Sequence, residues 1–175
     1  ISNWNVGNVT NMLSMFSHAT QFNQPIGSWD VSNVTNMSAM FQSSEFNQDI
    51  SNWDVSKVAS MSFMFNLTPN FNQNIGGWNV SSVTDMTNML SSTKSFNQDI
   101  GNWDVSNVTN MRAMFANSQA FDKEIRNWYV SSVTNMSWLF LRANFFDQNL
   151  ANWDISQVTD MTQIFNFSGL TNTNY

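Results

Sequence analysis

The sequence contains no cysteine, which removes disulfides and thiolate metal sites from consideration. A stacked core needs no such staples, so this absence is neutral about compartment. Charge is scarce as well: Asp, Glu, Lys and Arg together make up 10% of 175 residues, against about a quarter in ordinary globular chains. The six Lys plus Arg are scattered singly and the net charge is −6. A surface that tracks a phosphate backbone needs clustered basic side chains, so nucleic acid is excluded as a partner class. No stretch of about 18 apolar residues offers a transmembrane segment, and no signal peptide opens the sequence. The single histidine, His18, has no acid or nucleophile set in register with it, so neither a Ser-His-Asp nor a His-zinc site can be built. No acid/base pair stands apart from the general pattern. The expectation is that this is not an enzyme.

What is present is a repeat. Trp4, Trp29, Trp53, Trp78, Trp103, Trp128 and Trp153 stand 24 or 25 residues apart, and almost nothing lies outside their frame. Such a period marks a stack of coils, each burying its apolar face on the next. Each coil repeats the frame seen in coil five: Trp103, Val105, Val108, Met111, Met114, Phe115, Phe121, Ile125. Departures such as Leu90 for Phe or Leu139 for Met keep an apolar side chain of similar size, as a packed interior requires. The 42% apolar content suffices for a continuous core. Residues 1–175 therefore read as one solenoid fragment of about seven coils without a separate cap domain. Because Ile1-Ser-Asn-Trp4 matches Ile50-Ser-Asn-Trp53, the sequence starts inside a repeat and reads as a piece of a longer parent.

Within a coil, Trp103-Asp104-Val105 alternates apolar and polar residues, which predicts a short parallel strand with Trp and Val inward. From Val108, apolar residues at i, i+3, i+6 and i+7 predict a short helix or 3₁₀ turn. The expected fold is an α/β repeat solenoid: a right-handed, leucine-rich-repeat-like stack with one strand and one helix or 3₁₀ turn per 25-residue coil.

The motif Trp-Asp-Val-Ser-Asn-Val-Thr-Asn-Met-x-x-Met-Phe…Phe-Asn-Gln-x-Ile resembles the repeat of BspA-like leucine-rich-repeat surface proteins. It is most similar to their mycoplasma-type subfamily, a repeat family of unknown function abundant in surface lipoproteins. The resemblance implies a bacterial extracellular or cell-surface parent, with adhesion to a protein or glycan on another cell surface as its usual role. It supplies no catalytic residues.

The twelve framed Met and the seven framed Trp are expected to fill the core, each indole N–H finding a partner inside. The column Asn23, Asn47, Asn72 and Asn97, continued by Asp122 and Asp147, reads as a ladder that satisfies backbone groups between coils. After the Trp runs a second column, Asn5, Asp30, Asp54, Asn79, Asp104, Tyr129 and Asp154. Adjacent Asp30 and Asp54, about 4.8 Å apart on neighbouring rungs, should repel and raise one pKa unless a cation such as Ca²⁺ relieves them. Otherwise no cofactor is expected. Binding is expected at the large residues that break the frame: Phe63, Tyr129, Trp138 and Phe145, because aromatic anchors dominate interfaces. Two alternatives stand beside a binding module. One is a structural spacer, since seven coils give a rod of about 35 Å; the other is an ice- or glycan-binding array on the Thr/Asn ladders, though Ala59 interrupts the Thr column. Uncapped coil ends also suggest end-to-end self-association.

Overall fold

The computed structural model describes residues 1–171. Seven successive turns of the chain lie against one another, joined by parallel bridges from Asn11 to Asn36, and onward through Ser60, Asp85, Asn110, Asn135 and Asp160. Among the described residues none is helical, and one residue per coil forms a bridge. The expected α/β solenoid with a strand and a helix in every coil is therefore corrected to a stack of irregular coils built from turns.

Hydrogen bonding explains the missing helix. In coil five the amides of Met111, Ala113, Phe115 and Asn117 donate to the carbonyls of Asn135, Ser137, Leu139 and Leu141 in the next coil, at 3.0, 2.9, 3.0 and 2.7 Å. The alternate amides of Met114, Ala116 and Ser118 each donate to the carbonyl three residues back. A helix would direct all of these amides within the coil; here four of the seven tie one coil to another. The chain reverses every two residues in overlapping β-turns, and Ala113 and Asn117 occupy the third position of two of them with φ of 54° and 59°. A positive φ at that position is what a type II turn requires. The same two places recur in every coil, so among the described residues fourteen non-glycine residues are left-handed while no glycine is.

The predicted strand is absent for the same reason. Trp103 and Val105 do point inward, at 3% and 0% exposure, and Asp104 points out. Yet the amides of Asp104 and Val105 make no backbone hydrogen bond among the described residues. Turns flank the segment instead, with Trp103 donating to Ile100 and Val108 to Val105. Inward-outward alternation is a statement about burial, and it does not by itself create a ladder.

Aromatic stacking lines the core. Within a coil Phe65 and Phe71 stack at 3.8 Å between ring centroids, and Phe140 and Phe146 at 3.9 Å. Between coils Phe41 meets Phe65 at 5.6 Å and Phe71 meets Phe96 at 6.0 Å. Leu90 interrupts the first of these ladders in coil four, while Phe71, Phe96, Phe121 and Phe146 carry the second straight through. The framed Trp of the middle coils are buried, whereas Trp4, in the first described coil, is 55% exposed. At the other end Ile155 and Met161 are exposed beside a 190 Å³ apolar hollow that Trp153 and Phe165 also line.

Candidate functional site

Most of the polar columns are occupied by the fold itself. The indole N–H groups of Trp29, Trp53, Trp78, Trp103, Trp128 and Trp153 donate to the carbonyls of Ile1, Ile26, Ile50, Ile75, Ile100 and Ile125, at 3.1–3.3 Å. Each of these six Trp thus fastens its coil to the one before it. In the Asn column the later coil again donates, but the side chain is the acceptor: Asn23 Oδ1 accepts the amide of Asn47, and Asn47, Asn72, Asn97 and Asp122 continue the chain to Asp147. Gln73 and Gln98 reinforce it by donating to the oxygens of Asn47 and Asn72. In the Thr column, the hydroxyls of Thr35, Thr84, Thr109, Thr134 and Thr159 donate to the carbonyl of the preceding coil.

The acidic column behaves otherwise than expected. Oδ1 of Asp30, Asp54, Asp104 and Asp154 accepts the amide two residues on, as Asn5 and Asn79 do in their coils. These turns hold the carboxylates below their ordinary value of 3.8, so the raised pKa is corrected to a lowered one. For Asp54 the Ser56 hydroxyl and amide are the main causes; the charge of Asp30 opposes them and is the weakest influence. Solvent screening of exposed like charges explains why local hydrogen bonds win. Among the described residues no three His, Cys, Asp or Glu side chains converge as a metal-ion cage would require.

The four frame-breaking aromatics lie on three different columns. Phe63 and Trp138 occupy the first left-handed position of their coils, with φ of 58° and 59°, and are half-buried. They stand three coils apart. Tyr129 is 76% exposed in the acidic column, and Phe145 is 69% exposed in the loop after the turns. No single small site gathers them. Trp138 has a partner that sequence reasoning missed: the Arg112 guanidinium lies 4.4 Å from its ring centroid, one coil back. The 25-residue offset placing Arg112 beside the column was the available signal.

Around Tyr129 the surface is concave. A hollow of about 410 Å³ is lined by Asn102, Trp103, Asp104, Asn127 and Tyr129, and one of about 250 Å³ by Arg126, Asn127, Trp128, Tyr129 and Asn152. The two share Asn127 and the tyrosine, making one groove across coils five to seven.

A family model described as "Mycoplasma protein of unknown function, DUF285" matches residues 1–97 and 68–175. This agrees with the mycoplasma-type repeat family that the motif resembles, and it carries no leucine-rich-repeat label. No curated protein and no solved structure matches the chain.

Proposed function

The chain belongs to the DUF285 family of Mycoplasma proteins of unknown function, and from that premise we propose that it is a non-catalytic repeat module of a bacterial cell-surface protein that binds a protein or glycan partner. One observation carries the reading. The apolar residues that the repeat conserves in register are buried through the middle coils, while Tyr129 and Phe145, which break the register, stand in solvent. Phe63 and Trp138 remain half outside. Core packing has no use for the exposed rings, and aromatic side chains are the residues on which interfaces concentrate their energy. The motif resemblance to BspA-like surface proteins supports the location. Among the described residues no helix is long and apolar enough to cross a membrane.

A spacer would need the same stack but no projecting rings. An ice- or glycan-binding Thr array is disfavoured because the Thr hydroxyls already donate to neighbouring carbonyls and Ala59 breaks the row. The exposed core positions at Trp4 and Met161 suit the stacking of a further coil of the same kind, which is the form self-association would take.

The test is an array of extracellular proteins and oligosaccharides, probed with and without millimolar Ca²⁺. The double variant Phe63→Ser, Trp138→Ser is compared with the parent chain. Coil one carries Ser14 at this position, so the substitution suits the fold. Reduced retention of a protein partner at unchanged melting temperature supports the reading. A chain that binds nothing on the array overturns it.

A further inference from the structure

We propose that the groove around Tyr129 is a binding site for a neutral oligosaccharide, an inference that deepens the partner-binding reading and rests on it. Three features of the groove point to this ligand class.

The first is a column of amides that the fold leaves unused. Asn102, Asn127 and Asn152 occupy the position just before the framed Trp in three consecutive coils, and all three are exposed. Among the described residues none of their side chains has a hydrogen bond within the chain. This contrasts with the ladder column, where each Asn or Asp oxygen accepts an amide from the next coil. In coils two and four the same position holds Ser28 and Gly77, so the uninterrupted run of amides is confined to the groove. A primary amide offers two donors and an acceptor in one plane, which matches the paired hydroxyls of a sugar ring. Amides repeated at a rung spacing of about 4.8 Å suit an extended ligand with hydroxyls along its length.

The second feature is a platform. Tyr129 stands where other coils carry Asp or Asn, is 76% exposed, and lines both hollows, one shared with Asn127 and Asn152 and the other with Asn102, Asp104 and Asn127. A phenol ring has an apolar face for the C–H surface of a sugar and a polar edge for its hydroxyls. Gly101, which also lines the groove, lets the next coil approach closely, since a Cβ there would lie 2.5 Å from the Glu124 carbonyl.

The third feature is charge. Asp104 lines the groove, and the Ser106 hydroxyl and amide hold its carboxyl below the ordinary range, so it is ionised near neutrality. Asp99 and Glu124 line the adjoining hollow around Asn102. Arg126, which lines the groove, is paired with Glu124 at 2.8 Å. An anionic ligand, whether phosphate, sulfated or sialylated, meets net repulsion here, while carboxylates accept hydrogen bonds from neutral hydroxyls. The groove is shallow, and its apolar content is essentially one ring and the edges of two buried indoles. That is too little apolar surface for the centre of a protein interface.

The experiment exposes the full chain to an array of neutral, sialylated and sulfated oligosaccharides, then titrates the best neutral oligosaccharide by calorimetry. Variants Tyr129→Asp and Asn127→Gly place in these columns the residues that coils five and four already carry, so melting temperatures should hold. Expected is retention of neutral sugars over their anionic forms. Tyr129→Asp should weaken binding by about tenfold or more, the scale of one aromatic hot spot, and Asn127→Gly by a smaller factor. The Phe63→Ser, Trp138→Ser variant should bind the sugar unchanged. Absence of neutral-sugar binding, preference for anionic sugars, or unaltered affinity in Tyr129→Asp overturns the proposal. If no sugar is held while a protein partner is retained through Phe63 and Trp138, this groove assignment fails and the broader binding reading stands. If neither is held, both fall.

Discussion

The most unusual residues of this chain are ordinary ones in an unusual conformation. Ser14, Ala39, Phe63, Asn88, Ala113, Trp138 and Gln163 share a φ near +55°, and a second column from His18 to Phe167 does the same. A left-handed L-residue costs roughly 1–2 kcal/mol, and glycine would avoid that at an entropic cost of about 0.5–1 kcal/mol. Since every coil bears the same φ, the strain is architectural. It is tolerated because each of these amides in coils one to six bonds the following coil. Ala39→Gly is therefore expected to raise stability by about 0.5–1 kcal/mol. Ala120→Gly, equally half-buried but outside the left-handed region, should lower it by about the same amount. Urea melts of the two variants decide. The acidic column gives a second residue-scale expectation. A carboxylate depressed in the folded state stabilises above its unfolded pKa and loses that contribution as pH falls through the folded one. Asp30, Asp54, Asp104 and Asp154 are all lowered from 3.8, so their contribution is full above about that pH and disappears on further acidification. Replacing the four by Asn, which Asn5 and Asn79 show can accept the same turn hydrogen bond, should flatten the acid limb of a stability–pH profile. A steeper limb would contradict the assignment.

At the scale of the coil, one half is held by backbone and the other by side chains. The turns from residue 109 to 117 bond to both neighbouring coils through their amides and carbonyls, whereas the Trp segment is anchored by its indole N–H and by burial. Amide hydrogen exchange should therefore protect Met111, Ala113, Phe115 and Asn117 strongly and leave Asp104 and Val105 fast. A parallel strand at 103–105 would protect that segment instead. This division also explains how far the sequence could be read. Which residues face inward was legible, because burial follows apolar spacing: Trp103, Val105, Val108, Met111, Met114 and Phe115 are all buried. The conformation was not. Overlapping turns, each closing on the residue three back, place Met111 and Met114 on one side just as a helix does, so the i, i+3 spacing cannot separate them. Left-handed φ is announced in sequence by glycine, and none marks these turns. In the candidate site, Tyr129 stood out as a break in an acidic column. The value of Asn102, Asn127 and Asn152 did not, because Asn fills several columns and only the hydrogen bonds reveal which amides the fold leaves unused.

At the scale of the whole molecule, nearly every residue kept in register is occupied with stacking one coil on the next, whether as buried ring, ladder amide or turn. Specific recognition is then left to the residues that depart from the register, beside the column of amides the stack leaves unused, and the departing residues can be changed without touching the stack. The most direct measurement restores the register in one chain: Phe63→Ser, Tyr129→Asp, Trp138→Ser and Phe145→Ser, each the residue that another coil carries at that position (Ser14, Asp104 and Ser95). Its melting temperature and its retention on the protein and oligosaccharide array are compared with those of the parent chain. The expected result is a melting temperature equal to or slightly above the parent's, with partner retention lost. A collapse in melting temperature, or retention that survives intact, would contradict the division between a frame that folds and residues outside it that bind.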